Sequence, residues 1–155
     1  MPKNIIFTDK EAAFLKELSK QGVDFMLVGL SAAALQGAPV VTQDIDLWFK
    51  NLSDPKIKKA LKKVGGIYVP QRDIHPPTFA GEHLELFDIV LNMDGLESFS
   101  KEAKRTVEIP LGRRKIKVLS LDRIIKSKET ANREKDRLSL KVLKDTWDTL
   151  QYKKK

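Results

Sequence analysis

The chain contains no cysteine. Disulfides, zinc–thiolate centres and thiol catalysis are therefore excluded. Only two histidines occur, His75 and His83, both in the stretch Pro70–His83. A lone loop histidine is more often a polar surface residue than a catalytic group or a ligand. No apolar run approaches the roughly 20 residues of a membrane span. The opening MPKNIIFTDKEAAF lacks the long apolar core and small-residue cleavage site of a secretory signal. There is no glycine-rich GK[ST] segment, so a Walker-type phosphate loop is absent. Internal repeats and low-complexity tracts are absent too. The expectation is a cytoplasmic protein with no membrane partner.

What is present describes a globular domain. With 155 residues, 41% hydrophobic and 32% charged, the chain can bury a core. One domain is expected over residues 1–155, with 153–155 as a loose tail. The formal charge of +8 and sequence pI near 9.6 invite an RNA or polyphosphate partner. Solubility alone is an equally good reason for so many lysines.

The stretch from Phe25 to Phe49, FMLVGLSAAALQGAPVVTQDIDLWF, organises the rest. It reads as a buried strand (Phe25 to Val28), a glycine turn at Gly29, and a short alanine-rich helix (Ser31 to Leu35) closed by Gly37. A second strand carries Asp44 and Asp46. Residues i and i+2 of a strand share a face about 6.5–7 Å apart, so both carboxylates lie side by side while Ile45, Leu47 and Phe49 point the other way. Adjacent carboxylates repel each other, and a shared divalent cation would offset that cost.

Around this stretch, Thr8 and Glu11 have the spacing of a capping box. They open a helix whose apolar side is Ala12, Ala13, Phe14, Leu15 and Leu18, ended by Gly22. Ser53, Asp54 and Pro55 open another helix. Ile57, Ala60, Leu61 and Val64 form its stripe, and Lys56, Lys58, Lys59, Lys62 and Lys63 cover the other face. Ile67 to Val69 is a short strand, and Pro70 to His83 reads as an ordered loop. Leu84 to Met93 is an apolar strand interrupted by Asp88. A carboxylate inside a buried strand needs a partner, either a structural salt bridge or a role as third ligand beside Asp44 and Asp46. A hairpin is expected from Arg105–Ile109 and Lys115–Leu119 around residues 110–113. Ser120 then caps a helix that turns Leu121, Ile124 and Ile125 inward. A last helix from Glu134 to Leu150 carries Leu140, Leu143, Trp147 and Leu150 on one stripe.

Strand, glycine turn, short helix, glycine, then Thr42-x-Asp44-x-Asp46 resembles the DNA polymerase beta-like nucleotidyltransferase superfamily. The run VEIPLGRRKIKVLSLDRIIKSKETANREKD is similar to the ending of its small stand-alone group related to abortive-infection nucleotidyltransferase toxins. The resemblance implies an α/β fold, a mixed β-sheet flanked by helices. It implies a metal-dependent transferase that moves a nucleoside monophosphate from a triphosphate such as ATP to a hydroxyl of RNA, a protein or a small molecule. Asp44, Asp46 and Asp88 match the catalytic, metal-binding carboxylates for two Mg²⁺ ions, or Mn²⁺ in their place. Gly29, Ser31 and Thr42 match the loop against the triphosphate, and Lys128, Arg133 and Lys135 match basic positions near it. One departure stands out: Leu30 follows Gly29 where relatives carry a second small residue, and the serine comes one position later. A second reading therefore stays open, a non-catalytic binding protein on the same fold, such as a toxin–antitoxin component with a protein partner. Other Asp-x-Asp enzymes fit less well. In haloacid-dehalogenase phosphatases and many glycosyltransferases the motif follows an apolar strand, whereas here the apolar residues alternate with the aspartates.

Overall fold

In a computed structural model, residues 7–154 are described. The first helix, α1 (Asp9–Lys20), starts where the sequence places it. Glu11 N–H donates to Thr8 Oγ1 at 3.1 Å and Thr8 N–H donates to Glu11 Oε1 at 2.9 Å. These reciprocal bonds satisfy two donors that a helix start leaves free. Then follow β1 (Phe25–Val28), α2 (Gly29–Leu35), β2 (Ile45–Phe49), α3 (Pro55–Lys63), β3 (Ile67–Val69) and β4 (Thr78–Ala80). The second half holds β5 (Phe87–Val90), α4 (Phe99–Glu102), β6 (Thr106–Leu111), β7 (Arg114–Leu119), α5 (Leu121–Ala131) and α6 (Glu134–Lys153).

Five strands form one mixed sheet in the order β5-β2-β1-β7-β6. The pairs β1–β2 and β6–β7 are antiparallel, while β1–β7 and β2–β5 are parallel. This is the mixed, helix-flanked α/β sheet expected from the sequence. Phe87, Ile45, Leu47 and Phe49 are buried on one side of the pleat. There Phe14 of α1 meets Phe87 and Phe79 edge-on, with ring centroids 5.2 and 5.3 Å away. Successive strand residues alternate faces, so Asp46, Trp48 and Asp88 belong to the opposite side, where Trp48 packs on Phe99 of α4. Phe14 is fully buried at the centre of this aromatic cluster. Phe14→Ala is expected to lower stability by about 3–5 kcal/mol, read as a fall in the urea midpoint at unchanged slope.

Several local expectations need correction. The turn and short helix are continuous, because α2 begins at Gly29 itself. Asp44 precedes the first residue of β2, so only Asp46 lies on the strand. The segment Pro70–His83 is not all loop, since Thr78–Ala80 pairs with β3 as a second, two-stranded sheet. Its side chain Phe79 contacts Phe14, Phe49 and Tyr68, a tertiary reward that local composition does not reveal. The strand around Asp88 is only four residues long and lies at the sheet edge. The β6–β7 turn needs just Gly112 and Arg113, with Gly112 at φ 63°. Ser120 occupies the N-cap of α5 without a side-chain cap bond. Gln36 serves instead: its Oε1 accepts Leu121 N–H at 3.0 Å, and its Nε2 donates to Leu119 O at 2.8 Å. That link ties the end of α2 to the start of α5. Lys153, placed in the loose tail by the sequence, is the last residue of α6, and Lys155 lies outside the described residues.

Candidate active site

The sheet delivers two carboxylates side by side by register. Asp46 on β2 and Asp88 on β5 are paired positions of a parallel ladder, and Asp44 sits two residues before Asp46, at the strand entrance. Burial and the charges of Asp88 and Asp44 push the Asp46 carboxyl up from 3.8 to about 6, although Lys128 and Lys135 act in the other direction. Asp88 is pushed up as well, by burial and then by Asp44. Among the described residues, none of the three aspartates has a salt-bridge partner. The structural salt bridge considered for Asp88 is therefore absent there. Asp88 is also largely exposed, not enclosed in a buried strand.

Gly29 explains how Asp46 is seated. It has φ +71°, and a Cβ built on it would stand 2.2 Å from Asp46 Oδ2. The carboxylate thus lies directly against the Gly29 backbone, in space that any side chain would fill. Thr42 fixes the approach to the strand by donating its hydroxyl to Asp44 O at 3.1 Å. Ser31 behaves otherwise than expected. It is fully buried, its hydroxyl donates to Val28 O at 3.3 Å, and it does not line the cleft. Leu30 occupies the cleft wall in its place.

These residues border a cleft of about 470 Å³. Gly29, Thr42, Asp44 and Asp46 line it together with Lys128, Arg133 and Lys135, and the charges of these three cations act on Asp46. Asp88 is outside the cleft lining and acts on it through its charge on Asp46. The lining also includes the segment Asn92–Asp94, which the sequence did not single out. It is anchored to α5 from two directions. Gly95 packs so closely on Thr130 that a Cβ there would stand 2.2 Å from Thr130 Oγ1. Glu102, fully buried, accepts Glu97 N–H at 2.9 Å and the Arg123 guanidinium at 2.7 and 2.8 Å.

The basic wall has a hidden keystone. Asp136 is fully buried and accepts four bonds, from Arg133 N (3.1 Å), Arg133 Nε (2.7 Å), Arg133 Nη2 (3.2 Å) and Lys128 Nζ (3.3 Å). Burial alone would raise its carboxyl; the bonds from Arg133 and Lys128 outweigh that and hold it down at about 2. The signal was available as Arg133 and Asp136 spaced i, i+3 in the first turn of a helix, but nothing local showed that the pair is buried.

A divalent cation fits the carboxylate side in charge and chemistry. Hard oxygen donors are crowded there, and burial together with the charges of Asp88 and Asp44 makes the ionised Asp46 costly without a counter-charge. The sequence, however, expects three protein carboxylates in one set. Among the described residues no three acidic or histidine side chains converge tightly enough to hold an ion by themselves. The cluster is open, and ligand oxygens or water would have to complete it.

No protein-family model and no curated protein matches the sequence. Solved structures do match the fold. ANT(2″)-Ia in complex with adenylyl-2″-tobramycin aligns at a TM-score of 0.56 and 15% identity, covering 84% of this chain and 83% of that one. The solution structure of the antibiotic-resistance factor ANT(2″)-Ia aligns at 0.57 and 14%, covering 84% and 78%. An antigenic nucleotidyltransferase-like protein from Paracoccidioides brasiliensis aligns at 0.51 and 15%, covering 85% and 72%. The chain therefore has the α/β nucleotidyltransferase fold.

Proposed function

We propose that this protein is a metal-dependent nucleotidyltransferase, moving a nucleoside monophosphate from a nucleoside triphosphate to a hydroxyl acceptor. The observation that carries this reading is Asp46: a carboxylate packed against bare glycine backbone, crowded by Asp88 and Asp44, in a cleft also lined by Lys128, Arg133 and Lys135. Such a centre is costly without a bound cation and a polyanionic ligand. Asp44 and Asp46, with Asp88 beside them, would hold Mg²⁺. When bound, the metal supplies charge stabilisation to the attacking and leaving oxygens of an in-line displacement.

The chain's own residues supply the rest. Lys128, Arg133 and Lys135 face the triphosphate tail and offset the charge of the departing pyrophosphate. Asp88 accepts the proton of the attacking hydroxyl. The hydroxyl oxygen bonds to the α-phosphorus as the bond from that phosphorus to the oxygen bridging to the β-phosphate breaks. The products are a phosphodiester on the acceptor and pyrophosphate. The adenylyl-2″-tobramycin bound to one fold neighbour supports an adenylyl group and a small-molecule acceptor; the chain's basic charge supports RNA. A place beside the abortive-infection toxins rests on the sequence motifs. One feature favours the binding-protein reading: the bulky, apolar Leu30 lines the cleft where relatives carry a small residue.

The test is label transfer. The protein is incubated with Mg²⁺, each α-labelled triphosphate in turn, and an extract containing RNA, protein and metabolites, beside an Asp44→Ala/Asp46→Ala control. Label that requires both aspartates is expected, and the labelled fraction identifies the acceptor. No transfer and no Mg²⁺-dependent triphosphate binding would replace this reading with that of a binding protein.

A further inference from the structure

Lys128 and Arg133 line the same cleft as Asp44 and Asp46, and their charges interact with Asp46. Long, flexible cations so placed would ordinarily swing over and pair with those carboxylates. In this protein both pair with Asp136 instead. Asp136 is inaccessible, whereas the Arg133 side chain is 58% exposed and that of Lys128 14%. The anchor is therefore sealed from solvent while the cations it holds reach the cleft. One carboxylate against two cations leaves that wall with a net positive charge, to which exposed Lys135 adds another.

We propose that Asp136 is a positioning residue. It holds Lys128 and Arg133 together on one wall, apart from Asp46, so that both meet the phosphate tail of an incoming nucleoside triphosphate. The two cations come from different elements, α5 and the residue capping α6, and the buried carboxylate is what registers one against the other. Without it, each would pair separately with the acidic side and close the cleft to an anion. The inference rests on the nucleotidyltransferase reading for its ligand, but the clamp itself can be observed without any turnover.

Asp136→Asn keeps the side chain's size, removes its charge and turns one of the two accepting oxygens into a donor. Binding of inorganic tripolyphosphate, measured by calorimetry, is expected to weaken tenfold or more. In label transfer, KM for the triphosphate rises by a similar factor while kcat changes less, and Asp136→Glu recovers part of the loss. In a Lys128→Gln/Arg133→Gln background, Asp136→Asn is expected to have no further effect on tripolyphosphate affinity. A merely structural role would instead lower the melting temperature and the active fraction with KM unchanged, and that result would overturn the proposal, as would tripolyphosphate binding of equal, measurable affinity in wild type and Asp136→Asn. Exchange of the Arg133 Nε–H, followed by NMR, separates the two levels of the argument. Protection in the wild type that disappears in Asp136→Asn supports the clamp. Protection unchanged in the variant overturns it. A protected Arg133 in a wild-type protein that binds no tripolyphosphate would overturn the nucleotidyltransferase reading and leave the clamp standing.

Discussion

Asp46→Asn is expected to reduce nucleotidyl transfer about a thousandfold or more while leaving the fold intact and making it more stable. The first half follows from losing the carboxylate at the centre of the acidic cluster, where several kcal/mol of transition-state stabilisation is at stake. The second half follows from electrostatics. The Asp46 carboxyl sits at about 6 because of burial, Asp88 and Asp44, whereas in the unfolded chain it returns to about 3.9. Between those values the folded state binds more protons than the unfolded one. The contribution of Asp46 to stability is thus fully present below about pH 4 and is lost as pH rises through about 6. Asparagine does not titrate, so the gap in stability between variant and wild type should open over that window. Discounted for partial exposure, the gap reaches roughly 2 kcal/mol. Urea midpoints at a series of pH values without divalent cation provide the measurement. Adding Mg²⁺ should narrow the gap by stabilising the wild type alone. Full activity in Asp46→Asn would sink the mechanism, and a flat stability difference across pH would show that Asp46 is not desolvated.

Gly29→Ala should damage the same centre by a different route. The new Cβ would collide with Asp46 Oδ2 at 2.2 Å and approach Cγ to 3.1 Å, on a backbone already at φ +71°. Strain of about 1–2 kcal/mol is expected from the left-handed conformation. The carboxylate must also move aside, and a displacement of order 1 Å at a reacting centre can cost about a hundredfold in rate. Gly37→Ala is the control: φ is +102° there too, but nothing lies within 4 Å of the added carbon. It should show the stability loss without the loss of transfer. Equal activity in both variants would mean that the seat under Asp46 is irrelevant to chemistry.

The two variants also separate what was legible in the sequence from what was not. Capping at Thr8 and Glu11, the helix stripes and the β6–β7 hairpin were readable because each depends on neighbours a few residues apart. Thr78–Ala80 was not readable as a strand, because its pairing with Ile67–Val69 and the seat of Phe79 among distant aromatics outweigh a local composition rich in proline and glycine. Ser31 looked like a phosphate-loop serine by type and position. Starting the helix at Gly29 instead turns it inward, and one residue of phase on a helix is a change of about 100° in direction.

By itself the sequence determined the motif. Asp44 and Asp46 are fixed two apart, Gly29 ends the first strand, and the basic residues fall near α5 and α6. All of that is set by chain order and local periodicity. Tertiary structure alone decided that Asp88 stands at the register position opposite Asp46, that the Asp46 carboxylate rests on Gly29, and that Asp136 is sealed inside while its cations reach the cleft. These depend on strand register and burial between segments far apart in the chain. Partners, more than residue type, set the two carboxylates apart: burial and two like charges lift Asp46 to about 6, whereas the bonds from Arg133 and Lys128 hold the buried Asp136 at about 2.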